Sequence, residues 1–142
     1  MPVSSEQRPE YFEFASKVLG TPFSYGDQCK CLASLSSDGR ILGVVIYTRM
    51  TQSDCMVTVA LDESKRFVSK QFLAYACSVP FVQWNYRRVT AYVRRSNTRS
   101  LKGCLKLGFE IEGLLREYFD GEDAVVLGLL KADCKYLSIE VS

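Results

Sequence analysis

The chain contains no histidine, and that absence decides what chemistry the other side chains can do. Without an imidazole there is no Ser-His-Asp triad, no Cys-His dyad and no histidine-held metal. Any proton transfer falls to a carboxylate, a Cys, a Tyr, a Lys, the backbone or water. The six cysteines are Cys29, Cys31, Cys55, Cys77, Cys104 and Cys134. Only Cys29 and Cys31 are close in sequence, and one such pair is too few ligands for zinc, so no metal is expected. The sulfurs read as reduced thiols used as small hydrophobes, which places the chain in the cytoplasm. The most informative spacing is in RRSNTRSLKGCLKLGFEIEG at 94–113. Asn97 is placed to cap a helix, Ser100 falls in its first turn and Gly108 ends it. Cys104 lies on that helix's apolar stripe with Leu101 and Leu105, where a packing role is the default for a thiol.

Around these residues the rest of the chain supplies a framework. Its 142 residues, 47% hydrophobic and 24% charged, suit one globular domain, 1–142, with a sizeable core. A net charge of +2 gives no global field toward nucleic acid or membrane. No apolar run approaches the ~20 residues of a spanning helix, so no membrane partner is expected. MPVSSEQRPEYFEF lacks a basic segment followed by an apolar one and reads as no signal peptide.

The periodicity predicts a helix over 9–19, opened by Pro9 and ended by Gly20 and Pro22. The segments 29–36 and 41–50 form a hairpin about Ser37-Asp38-Gly39-Arg40. Residues 54–61 are a central strand, and 62–67 a polar break. Val68, Phe72, Tyr75, Ala76 and Val79 set a second helix, kinked or stopped by Pro80. Then come a strand at 88–93, a helix from Asn97 to about Leu107, and a strand from Phe109 to Glu112 extended by Leu114–Phe119. A turn at Asp120-Gly121-Glu122 leads into a return strand at 124–131. The tail, CKYLSIEVS, is undecided, with a weak strand pattern. This order is α/β, or α+β, around one mixed sheet with antiparallel hairpins and helices on both faces. The 54–93 unit is expected to be a parallel crossover.

The second half of this pattern resembles the GNAT superfamily of acetyl-CoA-dependent N-acetyltransferases. The nearest resemblance is to the branch that acetylates protein N-termini, including those of ribosomal proteins. RRVTAYV, Asn97, Ser100, Lys106, Gly108, Phe109, Glu112, Gly113, LLREYF, DGED and AVVLGLL match its sequence of elements. The resemblance covers roughly residues 40–132 and is specific over 88–131. It divides the chain into a short acceptor-side helix and loop (1–28), a hairpin, central strand and cofactor-loop helix (29–87), and the matching half with its C-terminal hairpin (88–133).

The resemblance implies acetyl transfer from acetyl-CoA to a primary amine, a protein N-terminus or a Lys, by direct attack in a ternary complex. It implies cofactor contacts from the central strand at Val59, Ala60 and Leu61, where a backbone N–H would face the oxyanion. A pyrophosphate loop would fall on Arg66, Phe67, Val68, Ser69 and Lys70. This loop departs from the family, because Val68 and Lys70 stand where small residues let the backbone approach phosphate. Asn97 would touch the pantetheine arm, with Ser100 nearby. Cys104 stands where many members have a tyrosine that protonates the leaving thiolate. Asp54, Glu110 and Glu112 are the candidate bases, and Tyr118 and Tyr47 the alternatives for acid or positioning.

The short N-terminal region implies an open acceptor cleft, which suits a peptide amine, and a homodimer is compatible with the pattern. Two other readings stand beside transfer. One is a GNAT-fold interaction protein that has lost catalysis. The other is nucleic-acid binding through Arg87, Arg88, Arg94, Arg95, Arg99 and Lys102, although a charge run of this kind is usually a solvated face.

Overall fold

The computed structural model describes residues 2–62 and 69–138. In chain order the strands are β1 (Val3–Ser4), β2 (Cys29–Leu35), β3 (Ile41–Thr48), β4 (Met56–Leu61), β5 (Arg88–Arg94), β6 (Glu110–Phe119) and β7 (Glu122–Leu130). The helices are α1 (Pro9–Leu19), α2 (Lys70–Ser78) and α3 (Thr98–Leu107). The strands form one sheet in the order β1-β2-β3-β4-β5-β7-β6. All neighbours are antiparallel except β4 and β5, which run parallel, as a crossover through α2 requires.

Local chemistry accounts for the boundaries. Pro9 opens α1, and Gly20 closes it in the left-handed conformation, its N–H donating to Ser16 O. The Ser69 side chain caps α2 by accepting from Phe72 N–H, and Asn97 caps α3 by accepting from Ser100 N–H at 3.1 Å. At Pro80 the α-helix gives way to a π-helical turn over Val79–Gln83, because proline cannot supply the N–H that would continue the helix.

The two faces of the sheet carry different helices. On one face α1 packs Tyr11, Phe12 and Ala15 against Cys31, Ala33, Val44, Ile46 and Ala60. On the other, Phe72 of α2 is buried with Leu32, Val45, Tyr47, Val89, Ala91, Leu127 and Leu129, and Leu101, Cys104 and Leu107 of α3 pack against this same core. The helices thus lie on both faces, as the sequence predicts.

Three points bear on the sequence reading. β1, which pairs Val3 with Ser34 and Ser4 with Ala33, was not foreseen, because two residues are too few to show a period. Leu114–Phe119 does extend the strand that begins near Phe109, giving one β6 with irregularities at Ile111/Gly113 and Leu115/Phe119. The tail is not a strand up to residue 138. It makes two 3-10 turns, Lys131–Asp133 and Lys135–Ser138, and brings Cys134, Tyr136 and Leu137 onto the core. Burying those side chains competes successfully with adding another rung to the ladder.

Candidate functional site

The central feature of the site is a parting of the sheet. β4 pairs with β3 along its whole length, but with β5 only at Met56 opposite Thr90. The parity of the β3–β4 ladder shows what this leaves open. Asp62 N–H donates to Leu42 O, so alternate residues Ala60, Thr58 and Met56 also turn their backbone groups toward β3. The backbone groups of Val57, Val59 and Leu61 therefore point toward β5. Thr90 N–H reaches Cys55 O at 2.9 Å, and beyond that level no register continues. The N–H groups of Val59 and Leu61 look into a wedge-shaped gap in the middle of the sheet. Val59 is 49% exposed, high for a strand with neighbours on both sides.

The helices flank this gap on one face. α2 begins after the C-terminal end of β4, and α3 after the C-terminal end of β5, so both N-termini belong to the wide end of the gap. Ser69 and Lys70 stand at the start of α2. Arg66, Phe67 and Val68 lie outside the described residues. Asn97 and Ser100 occupy the first turn of α3, where the cap between them is formed. The Cys104 thiol lies on this helix with Leu101 and Leu107, packed toward the core, while Leu105 is 46% exposed. Burial pushes this thiol up, partly offset by a hydrogen bond from Ser100, so it keeps its proton at neutral pH.

On the α1 face the narrow end of the gap carries a polar network. Arg88 donates to Glu112 through two nitrogens, Nη2 to Oε1 at 2.7 Å and Nη1 to Oε2 at 3.2 Å. Its Nε lies 3.7 Å from Asp54 Oδ1. Thr90 Oγ1 accepts from Arg88 Nη2 at 3.1 Å and donates to the Asp54 carboxylate at 3.1 Å. The structure thus brings Asp54 and Glu112 together around one guanidinium. Glu110 is exposed on β6. Tyr47 is fully buried and donates its hydroxyl to Ala76 O at 2.7 Å, so it serves packing and not acid chemistry.

Above this network is a second cluster that the sequence did not reveal. Tyr118 packs edge-on against Tyr92, with ring centres 5.0 Å apart. Arg49 Nη2 donates to Tyr118 Oη at 3.3 Å, and the Arg49 guanidinium lies 5.8 Å from the Tyr92 ring centre. Arg49 follows β3, and Tyr118 lies on β6, at the far edge of the sheet. The contact spans the parted strands. The sequence reading named Tyr118 of this cluster but neither Arg49 nor Tyr92, although strand alternation puts Tyr92 on the face of Thr90.

Half of the basic run is paired with carboxylates. Arg88 pairs with Asp54 and Glu112, Arg94 with Glu122, and Arg95 with Asp123. Among the described residues no group of Cys, Asp or Glu has the arrangement to hold a metal ion, and no helix is long and apolar enough to cross a membrane.

A mixed sheet that parts between parallel central strands, with helix N-termini at the open end, is the architecture of the GNAT fold. Solved structures bear this out. A point mutant of the spermidine N-acetyltransferase SpeG from Vibrio cholerae superposes with a TM-score of 0.79, covering 97% of this chain and 98% of its own, at 14% identity. The ribosomal-protein-S18-alanine N-acetyltransferase from Escherichia coli gives 0.73, covering 91% and 92%, at 16% identity. The ribosomal-protein-S5-alanine acetyltransferase from Vibrio fischeri gives 0.68, covering 77% and 65%, at 21% identity. No protein-family model and no curated protein matches the sequence. The chain has the GNAT fold, and these acetyltransferases are its structural neighbours.

Proposed function

We propose that the chain is an acetyl-CoA-dependent N-acetyltransferase that acts on a primary amine presented from the α1 face. The observation that carries this reading is the parting of β4 from β5, which leaves the N–H groups of Val59 and Leu61 without a strand partner among the described residues. Unpaired backbone donors in such a place are costly unless a ligand takes them up, and the amide and thioester carbonyls of acetyl-CoA are suitable acceptors. The co-substrate supplies an activated acetyl group. The chain's residues do the rest. Val59 and Leu61 N–H stand ready for the carbonyl and for the oxyanion that forms as the amine attacks. The starts of α2 and α3 bring Ser69, Asn97 and Ser100 and the Lys70 charge to the wide end of the gap, with the Ser100 N–H itself taken up by the Asn97 cap.

The amine must arrive neutral, and the leaving thiolate must gain a proton. Asp54 and Glu112 are the candidate bases, acting through water, although their oxygens already accept from Arg88 and Thr90. For the acid, Tyr118 stands on the acceptor face. The Cys104 thiol holds a proton but packs toward the core. This commitment of the polar groups favours a second reading, a GNAT-fold interaction protein without turnover. The structural neighbours differ in their named acceptors, so the fold alone does not choose one; the α1 face beyond β4 is uncovered, which favours a peptide N-terminus or Lys.

Isothermal titration with acetyl-CoA, followed by thiol-release assays with amine and peptide panels, tests the proposal. Binding with acceptor-dependent CoA release is the expected result. Binding without release selects the second reading. No binding at millimolar co-substrate would sink both the transfer reading and the assignment of the gap.

A further inference from the structure

We propose that Arg49 reads a carboxylate on the acceptor, so that the site takes a peptide amine with an acidic residue next to it. This rests on the transfer reading above and names the substrate class for it. Position comes first. Thr48, Met56 and Thr90 are in register across three strands, and Thr90 marks the last level at which β4 and β5 meet. Arg49 follows Thr48 and extends to Tyr92, two residues beyond Thr90. Its guanidinium therefore sits over the narrow end of the gap, on the face that α1 leaves uncovered.

The second argument is restraint. Arg49 is an exposed side chain on a left-handed backbone, φ 50, a conformation that is strained for a non-glycine residue and persists where the surroundings fix it. The Tyr118 hydroxyl and the Tyr92 ring hold the guanidinium in place. Glu117, beside Tyr118, also has a left-handed backbone, φ 54, within the β6 irregularity between Leu115 and Phe119. Two strained residues converge on one contact.

The third is charge. Among the described residues no carboxylate pairs with Arg49, whereas Arg88, Arg94 and Arg95 each have one. A guanidinium has five N–H donors in a planar fork, and Tyr118 accepts one of them. The rest of the fork is available for a carboxylate, its best-matched partner. An approaching protonated amine would be repelled by this cation unless it brought an anion with it.

The experiment compares three tetrapeptides with a free N-terminal Ala that differ only at the second residue, Glu, Gln or Lys. For the wild type, KM for the Glu peptide is expected about tenfold below that for the Gln peptide, a ratio typical of one charge-assisted contact, with the Lys peptide worst. The preference is expected to shrink as salt rises. Arg49→Asn, which tolerates a left-handed backbone, is expected to bring the Glu/Gln ratio to within about twofold, and Arg49→Lys to keep part of it. Circular dichroism checks that the variants fold. No Glu preference in the wild type, or a preference that survives Arg49→Asn, overturns the proposal. If no peptide is acetylated, the transfer reading fails by itself. Titration of the Glu peptide into wild type and Arg49→Asn then decides the inference, and equal affinities overturn it.

Discussion

Gly108 and Gly128 show how differently two glycines are required. Gly108 has φ 114, and a Cβ there would come within 3.0 Å of the Asp133 carbonyl. Both the conformation and the backbone neighbour resist a side chain, so Gly108→Ala is expected to cost about 1–3 kcal/mol of stability. Gly128 has no unusual φ, but a Cβ would meet the Glu112 carboxylate and Arg88 Nη2. Those are ends of flexible, partly exposed side chains. Gly128→Ala is expected to displace the bridge and cost about 1 kcal/mol or less. Urea unfolding of both variants measures the order, and a Gly128→Ala loss as large as that of Gly108→Ala would contradict it. Asn97 can be tested in the same spirit. Asn97→Ala removes the cap and is expected to cost about 1 kcal/mol, whereas Asn97→Ser keeps a capping oxygen. If Asn97 also touches the pantetheine arm, Asn97→Ser retains stability but weakens acetyl-CoA binding in titration. Unchanged affinity would leave the residue as a cap alone.

The 94–113 stretch was legible because cap, first turn and stop lie within one helix, where spacing alone decides contact. The strands 29–36, 41–50 and 88–93 were legible for the same reason, since alternation and turn residues are local signals. The Arg49–Tyr92–Tyr118 cluster was not, because its members come from three elements brought together only when the whole sheet is assembled. The tail could not be decided because, up to residue 138, its apolar residues serve packing on α2 and the core and not a ladder. That packing has a titrating group in it. A hydrogen bond from the Cys77 thiol, helped by the Tyr136 and Leu137 backbone N–H groups and opposed by burial, brings the Cys134 thiol down to about 7, while Cys77 is pushed up. For Cys134 the folded value lies below the unfolded one. Its contribution is therefore present above the unfolded value and is lost as pH falls through about 7; the raised Cys77 works in the opposite sense only at more alkaline pH. The stability difference between wild type and Cys134→Ala is expected to grow as pH rises from ~6 to ~8, measured by urea unfolding. A flat difference would mean that the thiols are not linked in this way.

For the molecule as a whole, the sequence pointed to the right architecture, and fourteen to twenty-one per cent identity to the superposed acetyltransferases shows how little residue identity that architecture needs. What it needs is an arrangement in which two central strands separate. The separation has a consequence for behaviour outside any reaction. A sheet normally exposes raw edges only at its margins, where short strands, charges and irregularities discourage other chains from adding on. β1, with two residues, and β6, with its charged side chains and irregular register, guard the margins in that way. The gap creates two further edges in the interior, along Val57–Leu61 and Tyr92–Arg94, where Arg94 is the one charged side chain. An occupant of the gap would therefore do more than react there. It would act as a missing strand, and its departure would leave the chain with a sticky seam through its middle.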